Sequence, residues 1–175
     1  MNRFEGNRPY PPIPSKENDV HDSSPVQPEQ TGLKLEITVE DLRKIFEEKN
    51  FSPDSLLSLL ERQYPDTYNQ GVGVWEGYTL RQHTLMVMMQ FEKYFSDKEL
   101  PFGIDKNMFR LILALHDVGK PEAITKGGKH LQHEYTQIYI QLLFKALGID
   151  EKYINLGRAL TSEDPIGKYL TGKID

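Results

Sequence analysis

The sequence predicts an all-α protein, and three observations lead there. After residue 38 the apolar residues recur mostly at three- and four-residue spacing, the period of a helix face. Helix-start signals precede these stretches: Thr38-x-x-Asp41, Ser52-Pro53 and Thr79-x-x-Gln82. Alternation of the strand type is weak and confined to residues 33–38.

Bulk properties narrow the reading further. A chain of 175 residues is expected to hold one core. Its 21 basic and 26 acidic residues give a net charge of −5, which disfavours a general nucleic-acid-binding surface while allowing a local basic pocket. Cysteine is absent, which removes disulfides, thiolate zinc sites and cysteine nucleophiles and fits a reducing, cytoplasmic setting. The longest uninterrupted apolar runs, such as residues 85–89 and 111–115, fall far short of the roughly 20 residues of a membrane span. The N-terminus lacks the apolar stretch of a secretory signal.

Three segments follow in order. Residues 1–32 hold six of the eleven prolines, with Ile13, Val20 and Val26 as the sole branched aliphatics, and read as a disordered tail. Pro11-Pro12-Ile13-Pro14 within it is either plain linker or a dock for a protein partner that reads polyproline. Residues 33–65 read as an accessory segment of two helices. Val39, Leu42, Ile45 and Phe46 form the face of the first. Leu56, Leu57 and Leu60 form that of the second, which Tyr64-Pro65 ends. The pair either packs on the main core or acts as a lid. Residues 66–175 are expected to form the main helical domain. Leu80, His83, Val87, Phe91 and Tyr94 lie on one stripe, which turns His83 inward. Asp105 can cap the next helix, apolar nearly all round from Met108 to Leu115 and therefore central. That helix is expected to end at His116-Asp117, stopped by Gly119 and Pro121. A further helix starts near His130, with Tyr135, Ile138, Leu142 and Ala146 on its face and Gly148 as its stop. Asp150 caps a last helix with Tyr153, Gly157 and Leu160 on one side, a stripe that reaches Asp164 after four more residues.

The functional signal is the doublet His116-Asp117 at the end of an apolar helix. A buried carboxylate is costly unless paired or bound to a cation. His83, His130, His133 and Asp164 are the further ligands on offer. Histidine and carboxylate donors suit first-row divalent metals. Taken singly, each residue has a plainer reading: His83 as a hydrogen-bonded core histidine, Asp164 as a turn residue, the doublet as a helix-end dyad. Together they can satisfy one another around one ion.

The pattern resembles the HD-domain superfamily of metal-dependent phosphohydrolases, whose signature is a histidine, a His-Asp doublet ending a buried helix, and a distant aspartate. In this chain these map to His83, His116-Asp117 and Asp164, with Asp150 as an alternative acid. The stretch Leu113-Ala114-Leu115-His116-Asp117-Val118-Gly119-Lys120-Pro121, followed by His133-Glu134, is similar to the HD domains of bacterial tRNA nucleotidyltransferases, over about residues 75–170. The resemblance does not extend to a nucleotidyltransferase head, so polymerising chemistry is not implied. His130 and His133 do not clearly match the extra histidines of two-metal members, so one metal is expected.

The resemblance implies an HD-like helical bundle and hydrolysis of a phosphate ester, in a nucleotide or similar small molecule, by a metal-activated water. His83, His116, Asp117 and Asp164 would hold a divalent ion (manganese, iron, cobalt, nickel, zinc or magnesium). Asp117 would orient the attacking hydroxide, Lys120 would meet the phosphate, and His133 would protonate the leaving oxygen. Lys120 reads alternatively as a solvated lysine, and His130 and His133 as surface or cap residues. Lys126-Gly127-Gly128-Lys129 is a basic loop without the phosphate-loop pattern. Trp75 and Tyr78 either stack on a base or pack in the core. The competing function is a non-catalytic module that binds a nucleotide or a protein.

Overall fold

The computed structural model describes residues 33–71 and 77–162. They belong to one compact unit, Gly32–Asp175. The proline-rich tail, Trp75 and Asp164 lie outside the described residues. Seven α-helices occur among those described: α1 (Val39–Phe46), α2 (Pro53–Gln63), α3 (Leu80–Phe95), α4 (Lys106–Leu115), α5 (Lys120–Lys126), α6 (Gln132–Ala146) and α7 (Glu151–Thr161). The described residues contain no strand, only an isolated antiparallel bridge between Gly71 and Thr79. The fold is all-α, as expected. No described helix is long and apolar enough to cross a membrane.

The expected caps form. Thr38 Oγ1 accepts from Asp41 N–H while the Asp41 carboxylate accepts from Thr38 N–H, a reciprocal capping box. Thr79 and Gln82 do the same at the start of α3. Ser52, Asp105 and Asp150 cap α2, α4 and α7 through their side-chain oxygens.

One core runs through the bundle. Leu42, Leu56, Leu57 and Leu60 of the first two helices join Leu80, Met88, Leu111, Leu115, Ile140, Leu143 and Phe144 in it. The pair α1 and α2 is thus part of the core packing, with α2 against α1, α3 and α4. Helix α6 packs against α4, α5 and α7.

Residues 33–38 do alternate, with Ile37 buried and Glu36 and Thr38 exposed, but they pair with no strand. The side chain of Gln63 supplies the pairing instead. Its Nε2 donates to Lys34 O at 3.0 Å and its Oε1 accepts from Glu36 N–H at 2.9 Å. An amide side chain has the same donor and acceptor as a peptide group, so one residue of α2 fixes the extended segment.

Several faces are rotated from the expected ones. In α3 the buried residues are Leu80, Thr84 and Met88, so His83 lies on the flank of the buried stripe and Tyr94 is exposed. In α6 they are Thr136, Ile140, Leu143 and Phe144, while Leu142 is exposed. In α7 they are Ile154, Gly157 and Thr161, with Leu160 exposed. Helix α6 has neighbours on several sides, so its buried surface is not a single stripe. A second correction concerns Pro121. It does not stop α4, which has already ended at Leu115, but lies in the first turn of α5, where a missing N–H costs nothing.

Candidate metal centre

The helix that carries the doublet ends in an orderly way. His116 N–H turns back to Leu113 O, Val118 N–H to Leu115 O and Lys120 N–H to Asp117 O, each a tighter i to i−3 bond. Another terminal carbonyl, Ala114 O, accepts from the Tyr68 hydroxyl at 2.9 Å. Tightening the chain here lets two adjacent side chains approach one point, which a continued α-helix would set about 100° apart.

Gly119 allows the chain to leave. Its φ is −80°, so the reason is not a left-handed conformation, as a glycine after a helix end suggests. A Cβ at this position would lie 2.2 Å from Thr136 N and 2.5 Å from Tyr135 C, both backbone atoms of α6. The backbone is pressed against α6 and held there by Gly119 N–H donating to Thr136 Oγ1 at 3.1 Å.

Two charged links set the neighbouring helices. Arg81, two residues before His83, meets Asp54 and Glu61 of α2 at 3.0 and 3.2 Å. Arg110 of α4 reaches Glu92 of α3 through two nitrogens, at 2.8 and 2.6 Å, with its guanidinium over the Phe51 ring. Both partners of the second pair are largely buried, which makes it stronger than a surface ion pair.

His83, His116 and Asp117 converge within this frame. Asp117 Oδ2 lies 3.4 Å from His83 Nε2 and 3.7 Å from His116 Nε2. One ligand atom from each of the three lies within 4.8 Å of the others, a group that could hold a metal ion. The His116 ring is oriented for this. Its Nδ1 is 2.7 Å from Leu113 O, and a carbonyl can only accept, so Nδ1 carries a proton and, in the neutral ring, Nε2 presents its lone pair. Around an ion with bonds of roughly 2.1 Å to nitrogen and oxygen, tetrahedral ligand atoms stand roughly 3.4 Å apart. The two spacings from Asp117 Oδ2 are close to that value.

Asp117 is only 14 % exposed. Burial pushes its carboxyl up, but His116, the Lys120 ammonium and His83 outweigh burial and hold it below the ordinary carboxylate value. Lys120, the first residue of α5, is not a solvated lysine: it is buried, with Nζ 3.1 Å from Asp117 Oδ2. His133 is half-buried on the first turn of α6, beside Gln132 Nε2 at 3.3 Å, and is not part of the three-residue group. His130 is exposed in the short 3-10 turn Lys129–Leu131. Asp150, the alternative acid, is occupied as the cap of α7, accepting from Lys152 N–H at 2.9 Å. Tyr78 is half-buried. Sequence reasoning did not find Tyr68 or Thr136, both of which hold backbone atoms of the site and carry no motif of their own.

No protein-family model matches the chain, no curated protein does, and no solved structure does.

Proposed function

We propose that the protein is a metal-dependent phosphohydrolase of the HD type, acting on a nucleotide or a related phosphate ester. The observation that carries this reading is the cluster of His83, His116 and Asp117, with the His116 tautomer fixed by Leu113 O. These three residues would hold a divalent ion, with Asp164 as the fourth ligand. When bound, the ion would lower the pKa of a water and polarise a phosphoryl oxygen. The chain's own part is to hold Asp117 ionised and to present the two imidazole nitrogens from separate elements. The buried ammonium of Lys120 adds positive charge that favours an anionic substrate. His133, on the neighbouring turn of α6, would protonate the leaving oxygen.

A second reading has one observation in its favour. Lys120 already neutralises Asp117 at 3.1 Å, so the carboxylate has a cation without a metal. A non-catalytic module that binds a nucleotide or a protein would be built in that way. Metal content per chain, on protein purified without chelator, separates the two together with a panel of phosphomonoesters, phosphodiesters and nucleoside triphosphates. About one ion per chain and metal-dependent turnover, both lost in Asp117→Asn, is expected of the hydrolase. Absence of metal after manganese addition would sink it, and bound metal without turnover of any ester would favour the module.

A further inference from the structure

The metal ligands come from two places far apart in sequence, the first turn of α3 and the turn after α4. Tyr68 touches the backbone of both. Its carbonyl oxygen accepts from Arg81 N–H at 2.9 Å, two residues before His83. Its hydroxyl donates to Ala114 O at 2.9 Å, two residues before His116. The side chain is fully buried, and burial, with Tyr64 and Glu61 nearby, pushes its phenol up, so the hydroxyl stays a donor. Ala114 O is otherwise one of the orphan carbonyls of a helix end.

We propose that Tyr68 is the positioning residue of the metal centre, tying the helix that carries His83 to the turn that carries His116 and Asp117. The inference rests on reading that cluster as a metal site. A rigid ring links the two backbones, so the spacing between His83 Nε2 and Asp117 Oδ2 is fixed before any ion arrives. Without the hydroxyl, Ala114 O needs a new donor. The last turn of α4 can then regain α-helical pairing or admit water, and either change turns the doublet. Tyr64 supplies an internal control. It is a neighbouring buried tyrosine whose hydroxyl has no hydrogen-bond partner among the described residues.

The test is cobalt(II) binding to the full-length protein, followed by visible absorption and by competition with a chromophoric chelator. Urea unfolding of the same samples reports stability. Tyr68→Phe is expected to bind cobalt about tenfold or more weakly, the range seen when a group that orients a metal ligand is lost, and to change the absorption band shape. Tyr64→Phe is expected to leave both unchanged. If Tyr68→Phe does not fold, 4-fluorophenylalanine at position 68 fills the hydroxyl space without donating, and 4-aminophenylalanine restores a donor. Weak binding by the first and wild-type binding by the second is then expected. Wild-type affinity in the variants without a donor overturns the positioning role while leaving the metal centre intact. Failure of the wild-type protein to bind cobalt overturns both.

Discussion

Gly119→Ala tests the geometry of the doublet most directly. The added Cβ would stand 2.2 Å from Thr136 N, 2.5 Å from Tyr135 C and 2.7 Å from Tyr135 Cβ. Two of these are backbone atoms of α6, which cannot rotate away. Reaching 3.4 Å requires the turn and the helix to separate by about 1.2 Å. Overpacking of this kind costs about 1–3 kcal/mol. The shift also stretches the bond from Gly119 N–H to Thr136 Oγ1, worth about 1 kcal/mol. The combined destabilisation is therefore about 2–4 kcal/mol, read as a lower urea midpoint at unchanged slope. Two other glycines calibrate it. At Gly71 an added Cβ meets nothing within 4 Å, so Gly71→Ala should be nearly neutral. At Gly157, in α7, it meets Ile140 Cγ2 at 2.9 Å. That atom belongs to a side chain that can adjust, and alanine gains about 1 kcal/mol of helix propensity. Gly157→Ala should therefore fall between the others. If the cluster holds a metal, cobalt binding should weaken in Gly119→Ala alone, since of these three glycines only Gly119 adjoins His116 and Asp117. A Gly119→Ala protein as stable as Gly71→Ala would refute the close approach and the account of how His116 and Asp117 converge.

Other substitutions probe the remaining contacts. Asp117→Ala leaves the buried Lys120 ammonium unpaired and should destabilise by about 3–5 kcal/mol, most of it recovered by adding Lys120→Met; chemical denaturation of the single and double variants checks this. The folded Asp117 carboxyl is held below its ordinary value, so its stabilising contribution is complete above the ordinary carboxylate range and is lost as pH falls through the folded value. In metal-free protein the urea midpoint should therefore drop as pH falls below the ordinary carboxylate range, less steeply in Asp117→Asn. Gln63→Leu removes both bonds to residues 34–36 and should cost about 1–3 kcal/mol, with faster amide exchange at Glu36. Leu57→Ala, at a fully buried position, should cost about 2–5 kcal/mol without altering metal binding relative to wild type under folding conditions.

Local chemistry was the legible part of the fold. Thr38 with Asp41, Thr79 with Gln82, and the caps Ser52, Asp105 and Asp150 all involve groups two to three residues apart, so sequence alone contains both partners. The faces of α6 and α7 were less legible. Helix α6 carries Tyr135, Ile138, Ile140, Leu142, Leu143 and Phe144, apolar residues on several sides. The choice among them is made by α4, α5 and α7, which pack against it. Pro121 was ambiguous for a similar reason. A proline after a helix marks an end equally well whether the next segment is a loop or the first turn of α5.

The candidate site divides along the same line. His116 and Asp117 announce themselves because two ionisable residues end an apolar helix, and the structure brings His83 to them from another helix. What holds them is invisible to spacing. Leu113 O selects the His116 tautomer, Ala114 O anchors Tyr68, and the Thr136 hydroxyl secures Gly119. Two of these three contacts use backbone carbonyls, which every residue possesses and no motif can mark. The burial of Lys120 was hard to read for a different reason. Lys120 follows a glycine at a helix end, where lysine is usually solvated, yet it is buried on Asp117 because α5 begins there and turns its first residue inward. Lys120 and a metal bound at the cluster would therefore make rival claims on the same carboxylate oxygen. Removing the ammonium with Lys120→Met should raise cobalt affinity if that competition limits binding. It should lower the affinity if the ammonium's main effect is to keep Asp117 ionised. Competition is the stronger expectation, because Lys120 Nζ lies 3.1 Å from the same Oδ2 atom that faces both imidazoles.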